Sequence, residues 1–178
     1  MKDSAVGNRY ALALFQLAKE KNILNQLEDE LRVVREVVIQ NTDLNLVLKS
    51  KKLLKNEKRQ LIKNVFSSVN PYVLNTLLVL IDRHREDHII QMADDFIQLA
   101  NDERGIAEAK VISTRALSET EYEALSSTFA AKVGKKSLRI ENIVDSSLIG
   151  GIKVQIGNRI YDGSLKGKLA RLEHQLLS

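Results

Sequence analysis

The chain has 178 residues and a formal net charge of +4, from 27 Lys and Arg against 23 Asp and Glu. This small excess, together with four Phe, four Tyr and no Trp, argues against a dedicated nucleic-acid binder that stacks bases on aromatic rings. The absence of cysteine excludes disulfides, thiolate metal sites and a cysteine nucleophile, and it suits an intracellular location.

Up to about Gly105 the apolar residues recur with helical spacing, which predicts six helices. The third is expected to be short, with Thr42 as its N-cap and its end at Leu48. Asn70 and Pro71 predict the cap and first residue of the fifth helix. The stretch that follows, YVLNTLLVLI, is apolar almost all round, which is typical of a buried helix. We therefore expect a compact six-helix bundle over residues 1–105, ending at the glycine.

After Gly105 the period changes from helical to alternating. EAKVIST, SLRIENIV and IKVQI predict strands, and Gly157-Asn158 predicts a hairpin turn after the last of them. Between the first two strands lies a helix that begins with a capping box of Ser118 and Glu121. Asp162 or Ser164 is expected to cap a final helix. The stripe of that helix consists of Leu165, Leu169, Leu172 and Leu176. The fold class is therefore α+β, with residues 106–178 forming a small α/β domain with a short mixed sheet and two helices.

The glycines and lysines between Gly150 and Leu172 do not form a phosphate-binding loop. Too few residues separate Gly163 from Gly167, and Leu169 occupies the position that needs a hydroxyl. The glycines also precede an alternating run instead of joining a strand to a helix. We interpret them as turn and close-packing residues, and no cofactor is expected.

Other catalytic and metal patterns are absent from the sequence as well. His84 and His88 are four apart, but the intervening glutamate is one position late for a zinc-protease helix, and DRHRED is typical of a helix junction. The adjacent Asp94 and Asp95 diverge by about 100 degrees on a helix, so they cannot share a substrate. No serine lies in a nucleophile elbow. A non-enzymatic role is favoured.

The densest charge lies between Lys49 and Lys63. Its basic residues are Lys49, Lys51, Lys52, Lys55, Lys58, Arg59 and Lys63, against one acid, Glu57. A solvated helix face is the simplest interpretation, because no aromatic residue and no nucleic-acid-binding motif accompanies these residues. The alternatives are a basic adaptor surface for nucleic acid or protein, an anionic membrane surface, or a contact with acidic residues of a partner.

Three stretches carry a resemblance to a known family. RYALALFQLA, from Arg9 to Ala18, and NTLLVLIDRHR, from Asn75 to Arg85, lie in the predicted first and fifth helices. VDSSLIGGIKVQIGNRIYDGSLKGKLARL, from Val144 to Leu172, has an acidic residue, Gly-Gly, an alternating strand, Gly-Asn, Asp-x-Ser and an amphipathic helix in order. The chain resembles the delta subunit of bacterial rotary ATP synthase, the counterpart of the mitochondrial oligomycin-sensitivity-conferring protein.

The resemblance implies a non-catalytic stator component that resists rotor torque during proton-driven ATP synthesis. It implies that the helical domain binds N-terminal segments of the alpha subunits, and that the second domain binds the C-terminal end of stalk subunit b. The protein would then lie at the cytoplasmic face of the cell membrane without direct insertion, in line with the lack of a long apolar run, and no nucleic-acid partner is expected.

The same resemblance places candidate residues in two regions. The alpha-subunit groove is expected between the first and fifth helices, with Tyr10 as its best anchor because a rigid ring with a polar tip suits an interface. Its walls would consist of Tyr10, Ala13, Leu14, Leu17, Leu78, Val79 and Arg83. The alternative for each apolar residue of this set is that it belongs to the ordinary core of the bundle. A contact with the stalk is expected at the C-terminal motif and the last helix. The motif residues are Gly150, Gly151, Gly157, Asp162 and Ser164.

Overall fold

The computed structural model describes residues 4–50 and 53–169, and the chain divides into two compact units, Met1–Ala100 and Asn101–Ser178. Among the described residues no helix is long and apolar enough to cross a membrane. The predicted Leu172 and Leu176 of the final helix, and Lys51 and Lys52 of the basic cluster, lie outside the described residues.

The first unit is helical, as the sequence predicts. A short 3-10 turn, Glu86–His88, separates the last two helices. The helices are α1 (Ser4–Glu20), α2 (Leu24–Gln40), α3 (Thr42–Lys49), α4 (Lys55–Val65), α5 (Pro71–Asp82) and α6 (Ile89–Arg104).

Helices α5 and α6 contribute many of the buried residues in the core of this unit. Phe96 of α6 is fully buried and meets the ring of Phe15 edge-on, with 6.1 Å between ring centroids. On α5, Leu77, Leu80 and Ile81 are fully buried, as expected for a helix that is apolar almost all round. Each such side chain stabilises the fold by about 1.5–3 kcal/mol through removal from water.

The helix ends follow the predicted caps with one correction. Asn70 accepts a hydrogen bond from the N–H of Tyr72, and Pro71 is the first residue of α5. Gly105 follows α6 with a φ of 70°, which an L-side chain rarely adopts. The prediction that Thr42 caps α3 is wrong. Asn41 is the cap and accepts from the N–H of Leu44 at 3.1 Å, because one position earlier its side chain reaches the free amides of the first turn.

The second unit contains a four-stranded mixed sheet, which confirms the predicted fold class. The strands lie in the order β2-β1-β3-β4; β1 and β2 are parallel, and the other two pairings are antiparallel. Helix α7 connects the two parallel strands, and residues 165–169 are also helical. The elements are β1 (Ile106–Ser113), α7 (Glu119–Val133), β2 (Ser137–Val144), β3 (Ile152–Ile156) and β4 (Arg159–Asp162).

Helix α7 packs on one face of the sheet. The buried cluster comprises Ala109, Val111, Ala130, Leu138, Val154 and Ile156. The Phe129 ring on α7 meets the Tyr161 ring on β4 edge-on, with centroids 5.1 Å apart. Side chains of α7 also reach backbone amides of β2, since Leu138 N–H donates to Ser126 Oγ and Ile140 N–H donates to the Tyr122 hydroxyl, both at 3.1 Å. These bonds satisfy amides that an edge strand otherwise leaves open to another chain.

The capping box predicted at the start of α7 is present and includes a third residue. Ser118 Oγ accepts from the N–H of Glu121, whose carboxylate accepts from the N–H of Ser118. Arg115 adds two bonds to the same carboxylate, at 2.7 and 3.0 Å. The Arg115 guanidinium, followed by the two Ser118 bonds, lowers the pKa of Glu121 from its ordinary value of 4.5 to about 2.

Replacement of Glu121 by Gln is expected to make the free energy of unfolding depend less on pH at acidic pH. Because the folded pKa of Glu121 is depressed, its carboxylate stabilises the fold above about pH 4.5, and this contribution disappears as pH falls toward 2. Urea unfolding of the wild type and of Glu121→Gln at several pH values between 6 and 2 measures the difference. A wild-type loss of stability that Glu121→Gln reproduces in full over this range would contradict the assignment.

Candidate functional site: two protein-binding surfaces

The first surface lies where α1 and α5 meet. The hydroxyl of Tyr10, near the start of α1, accepts from Arg85 Nη1 at 3.3 Å, and the guanidinium lies 5.9 Å from the centre of the tyrosine ring. Arg85 lies three residues after the end of α5, so the first half of α1 lies beside the turn that follows α5. This contact fixes the direction in which the polar tip of Tyr10 points.

The predicted groove residues divide into two groups by exposure. Leu14 and Leu78 are 4% and 7% exposed and belong to the core. Ala13, Val79 and Arg83 are exposed, with Val79 at 43%. Tyr10 and Leu17 are half-buried, and Tyr10 packs against the core while it leaves part of its ring accessible. The two buried leucines are therefore core residues of α1 and α5, while the exposed residues are available to a partner.

One exposed aromatic residue of this surface was missed by the sequence reasoning. Tyr72 lies two turns before Val79 on α5 and is 36% exposed. The spacing of Tyr72 and Val79 puts them on the same side of α5, which a helical projection of the sequence would have revealed. We define the α1–α5 surface as Tyr10, Ala13, Leu17, Tyr72, Val79 and Arg83.

The basic cluster predicted between Lys49 and Lys63 is largely occupied within the chain. Lys58 is 7% exposed, and its ammonium lies 2.5 Å from Glu86 in the turn before α6. Arg59 and Lys55 both pair with Asp82 at the end of α5, and Lys49 pairs with Asp87 at 3.0 Å. The Arg59 guanidinium, helped by Lys55, holds the pKa of the Asp82 carboxyl below its usual value.

These pairs change the interpretation of the cluster. Cations whose charge is already balanced by a neighbouring carboxylate contribute little to an anion-binding field. Lys63 is exposed and forms no ion pair within the described part of the chain. The cluster therefore serves mainly to attach α3 and α4 to the junction between α5 and α6, and a nucleic-acid surface is disfavoured.

The junction itself holds His84 and His88. His84 has a φ of 53°, a left-handed conformation at the turn after α5, and His88 ends the 3-10 turn. Within the described residues, no three His, Asp or Glu side chains form a group that could hold a metal ion. His174 lies outside those residues.

The C-terminal motif builds the start of the last helix. Ser164 is 1% exposed; its Oγ accepts from the N–H of Gly167 at 3.0 Å, so Ser164 is the cap. Asp162 accepts from both the N–H and the hydroxyl of Ser164, at 2.9 and 2.7 Å, and thereby fixes the orientation of the cap. Gly157 has a φ of 54° and forms the β3–β4 turn.

Gly150 and Gly151 are in close contact with other residues of the second unit. A Cβ on Gly150 would lie 2.7 Å from the Leu165 side chain, and one on Gly151 would lie 2.5 Å from the Gly163 carbonyl oxygen. The two glycines therefore permit close packing within the unit, and their own positions offer little room to a partner. Between Ile149 and Leu169 four apolar residues are largely exposed, and we call them the C-terminal apolar surface: Ile149 (71% exposed), Ile160 (56%), Leu165 (46%) and Leu169 (58%).

Both surfaces expose apolar side chains, and exposed apolar patches are typical of sites where proteins interact. The chain belongs to the ATP synthase delta (OSCP) subunit family, whose model matches residues 6–176. Members of this family are structural stator subunits, so the protein is a non-catalytic subunit of ATP synthase.

Individual relatives agree over the full length. The chain is 51% identical to the ATP synthase subunit delta of Geobacillus sp. (strain WCH70), with 99% of both chains covered. It is 48% identical to the subunit delta of Bacillus cereus (strain B4264), over 99% of this chain and 98% of that one. A chain in the cryo-EM structure of the Toxoplasma gondii mitochondrial ATP synthase hexamer shares the fold, with a TM-score of 0.70, 20% identity and 97% coverage of both chains.

Replacement of Lys58 by Met is expected to destabilise the helical unit by about 3–5 kcal/mol, because Glu86 then stays buried without its partner. The double variant Lys58→Met/Glu86→Leu should recover most of this loss, since no uncompensated charge remains. Urea unfolding followed by circular dichroism measures both. Equal stability of wild type and Lys58→Met would show that the pair does not hold α4 to the junction.

Replacement of Gly151 by Ala is expected to destabilise the second unit more than replacement of Gly157 by Ala. Both glycines have positive φ, which costs an alanine about 1–2 kcal/mol, but nothing lies within 4 Å of a Cβ on Gly157. At Gly151 the clash with the Gly163 carbonyl adds about 1–3 kcal/mol. Thermal unfolding of the two variants compares them, and similar losses would mean that the close approach at Gly151 carries no energetic weight.

Proposed function

We propose that this subunit connects the catalytic head of ATP synthase to its peripheral stalk and resists rotor torque during proton-driven ATP synthesis. In this proposal the helical unit binds N-terminal segments of the alpha subunits, and the second unit binds the C-terminal end of subunit b. The protein would be held at the cytoplasmic face of the cell membrane through that stalk. Membership of the delta (OSCP) family supports the role.

The observation that carries the head contact is the exposure of Val79 on α5, the helix whose following turn contacts Tyr10 of α1. Val79 is 43% exposed on a helix whose opposite face is buried, so a partner that covers it removes further apolar surface from water. Ala13 and Tyr72 extend the apolar area along both helices. An amphipathic helix fits such a surface. The apolar residues on one of its faces recur at helical spacing, as the apolar residues of α1 and α5 do, so they can pack along both helices.

The stalk contact is proposed for the C-terminal apolar surface instead of the two glycines. Ile149 is 71% exposed and has a φ of 65°, a strained conformation for a β-branched residue. Ile160 on β4 and the first turns of the last helix add further exposed apolar area. In this proposal Gly150, Gly151, Asp162 and Ser164 position the surface, and the exposed side chains make the contact.

Titration of the full-length protein with a peptide from the N-terminus of the alpha subunit tests the head contact. Val79→Ala is expected to weaken binding about fivefold to tenfold, because an exposed valine loses two apolar carbons from the interface. Val65→Ala is the matched control, since Val65 on α4 is 41% exposed and lies outside the α1–α5 surface. Tyr10→Ala should weaken binding further, provided that unfolding experiments show an intact fold.

Amide NMR shifts locate both contacts in the same sample. The alpha peptide should shift resonances of α1 and α5, and a peptide from the C-terminus of subunit b should shift those around Ile149 and Ile160. Equal effects of Val79→Ala and Val65→Ala would refute the groove. Absence of any alpha-peptide binding to the folded wild type would refute the proposed head contact itself.

A further inference from the structure

In the junction between α5 and α6, the acidic and the basic residues contact different parts of the helical unit. Its sequence, DRHRED, spans residues 82–87 and has nearly equal numbers of acids and bases. The acids are all paired with cations of α3 or α4: Asp82 with Arg59 and Lys55, Glu86 with Lys58, and Asp87 with Lys49. The negative charge of the junction is thus neutralised on the side of the basic cluster.

The two arginines of the junction have no such partners. Arg85 lies against the Tyr10 ring, and Arg83 is exposed at the end of α5. Within residues 4–50 and 53–169, neither forms an ion pair with a carboxylate. Positive charge therefore remains where α5 meets the start of α1.

Arg9 adds a third cation to this end. It precedes Tyr10, lies one helical turn before Ala13, is exposed, and forms no ion pair within the described part of the chain. The other arginines of the helical unit behave differently: Arg32 pairs with Glu28, Arg35 with Asp94, and Arg59 with Asp82. Among the described residues, the arginines of the helical unit that pair with no carboxylate are thus Arg9, Arg83 and Arg85, at the end of the α1–α5 surface where Arg85 contacts Tyr10.

We propose that these arginines recognise a carboxylate on the helix that docks on the α1–α5 surface. This inference rests on the proposed head contact and specifies its chemistry: the docked helix has an apolar stripe and an Asp or Glu at the end that lies near Arg83 and Arg9. A guanidinium binds a carboxylate with two parallel hydrogen bonds, so it fixes orientation as well as position. Arg85 keeps the Tyr10 ring in place and completes the positive field.

The apolar and charged parts of the surface have separate tasks. Val79 and Ala13 supply contact area that is the same in either direction along the docked helix. The arginines lie at one end only, so an acidic residue in the helix selects one direction of docking and disfavours the reverse. A rim charge also accelerates association, and this effect weakens with salt.

The test uses the full-length protein and the alpha N-terminal peptide at low and high salt. Arg83→Gln and Arg9→Gln are each expected to weaken binding about threefold to fivefold at low salt, with little effect at high salt. Lys63→Gln is the matched control, because Lys63 is an exposed, unpaired cation on α4 within the described residues. It removes the same charge from the protein and should leave the affinity unchanged.

Peptides in which one carboxylate at a time is replaced by its amide identify the partner group. For the carboxylate that meets Arg83, wild-type protein should lose affinity on amidation while Arg83→Gln loses little more. Equal urea midpoints for all variants exclude a folding effect. Affinities of Arg83→Gln and Arg9→Gln that match Lys63→Gln at every salt concentration would overturn this inference, while the loss caused by Val79→Ala would still support the head contact. No binding by the wild type would remove both.

Discussion

The helical unit depends on ion pairs that hold its central junction. The side chains of Lys58 and Glu86 are each 9% exposed, so their attraction acts in a poorly hydrated region where the loss of either partner leaves a costly buried charge. At the end of α5, Asp82 forms ion pairs with Lys55 and Arg59 of α4. These pairs attach the polar turn between α5 and α6 to α4. Because Arg85 in the same turn contacts Tyr10, the position of the α1–α5 surface depends on the same junction.

Local signals in the sequence were sufficient for the elements and the fold class. Apolar periodicity predicts the six helices, and the change to alternation after Gly105 predicts the sheet, because each pattern follows from the repeat of its own backbone. Asn70-Pro71, Ser118 with Glu121, and Gly157 are caps or turns whose chemistry acts within a few residues. The error at Thr42 has the same origin: Asn41 and Thr42 are both capping residues, and sequence alone does not decide between neighbours.

Long-range contacts were not accessible to the same reasoning. Lys58 and Glu86 are separated by 28 positions and Arg59 and Asp82 by 23, so a stretch of lysines resembles a solvated basic face until its partners are known. Burial has the same limit, since Leu14 and Val79 are both apolar helix residues, yet one is core and the other is 43% exposed. The space beside Gly150 is filled by Leu165, fifteen residues later, and no local pattern shows that.

The two surfaces differ in how their polar groups are satisfied, and this bears on how each can bind. In the second unit, Ser164, Asp162 and Asn142 bond within the unit, so the exposed isoleucines and leucines are the groups there that gain most from a partner. On the α1–α5 surface the apolar residues have arginines beside them that pair with no carboxylate of residues 4–50 and 53–169. If the subunit is the proposed connector under torque, it needs slow dissociation, which apolar burial provides, and also one defined direction of docking. Apolar area alone cannot supply that direction, whereas cations confined to one end of the surface can.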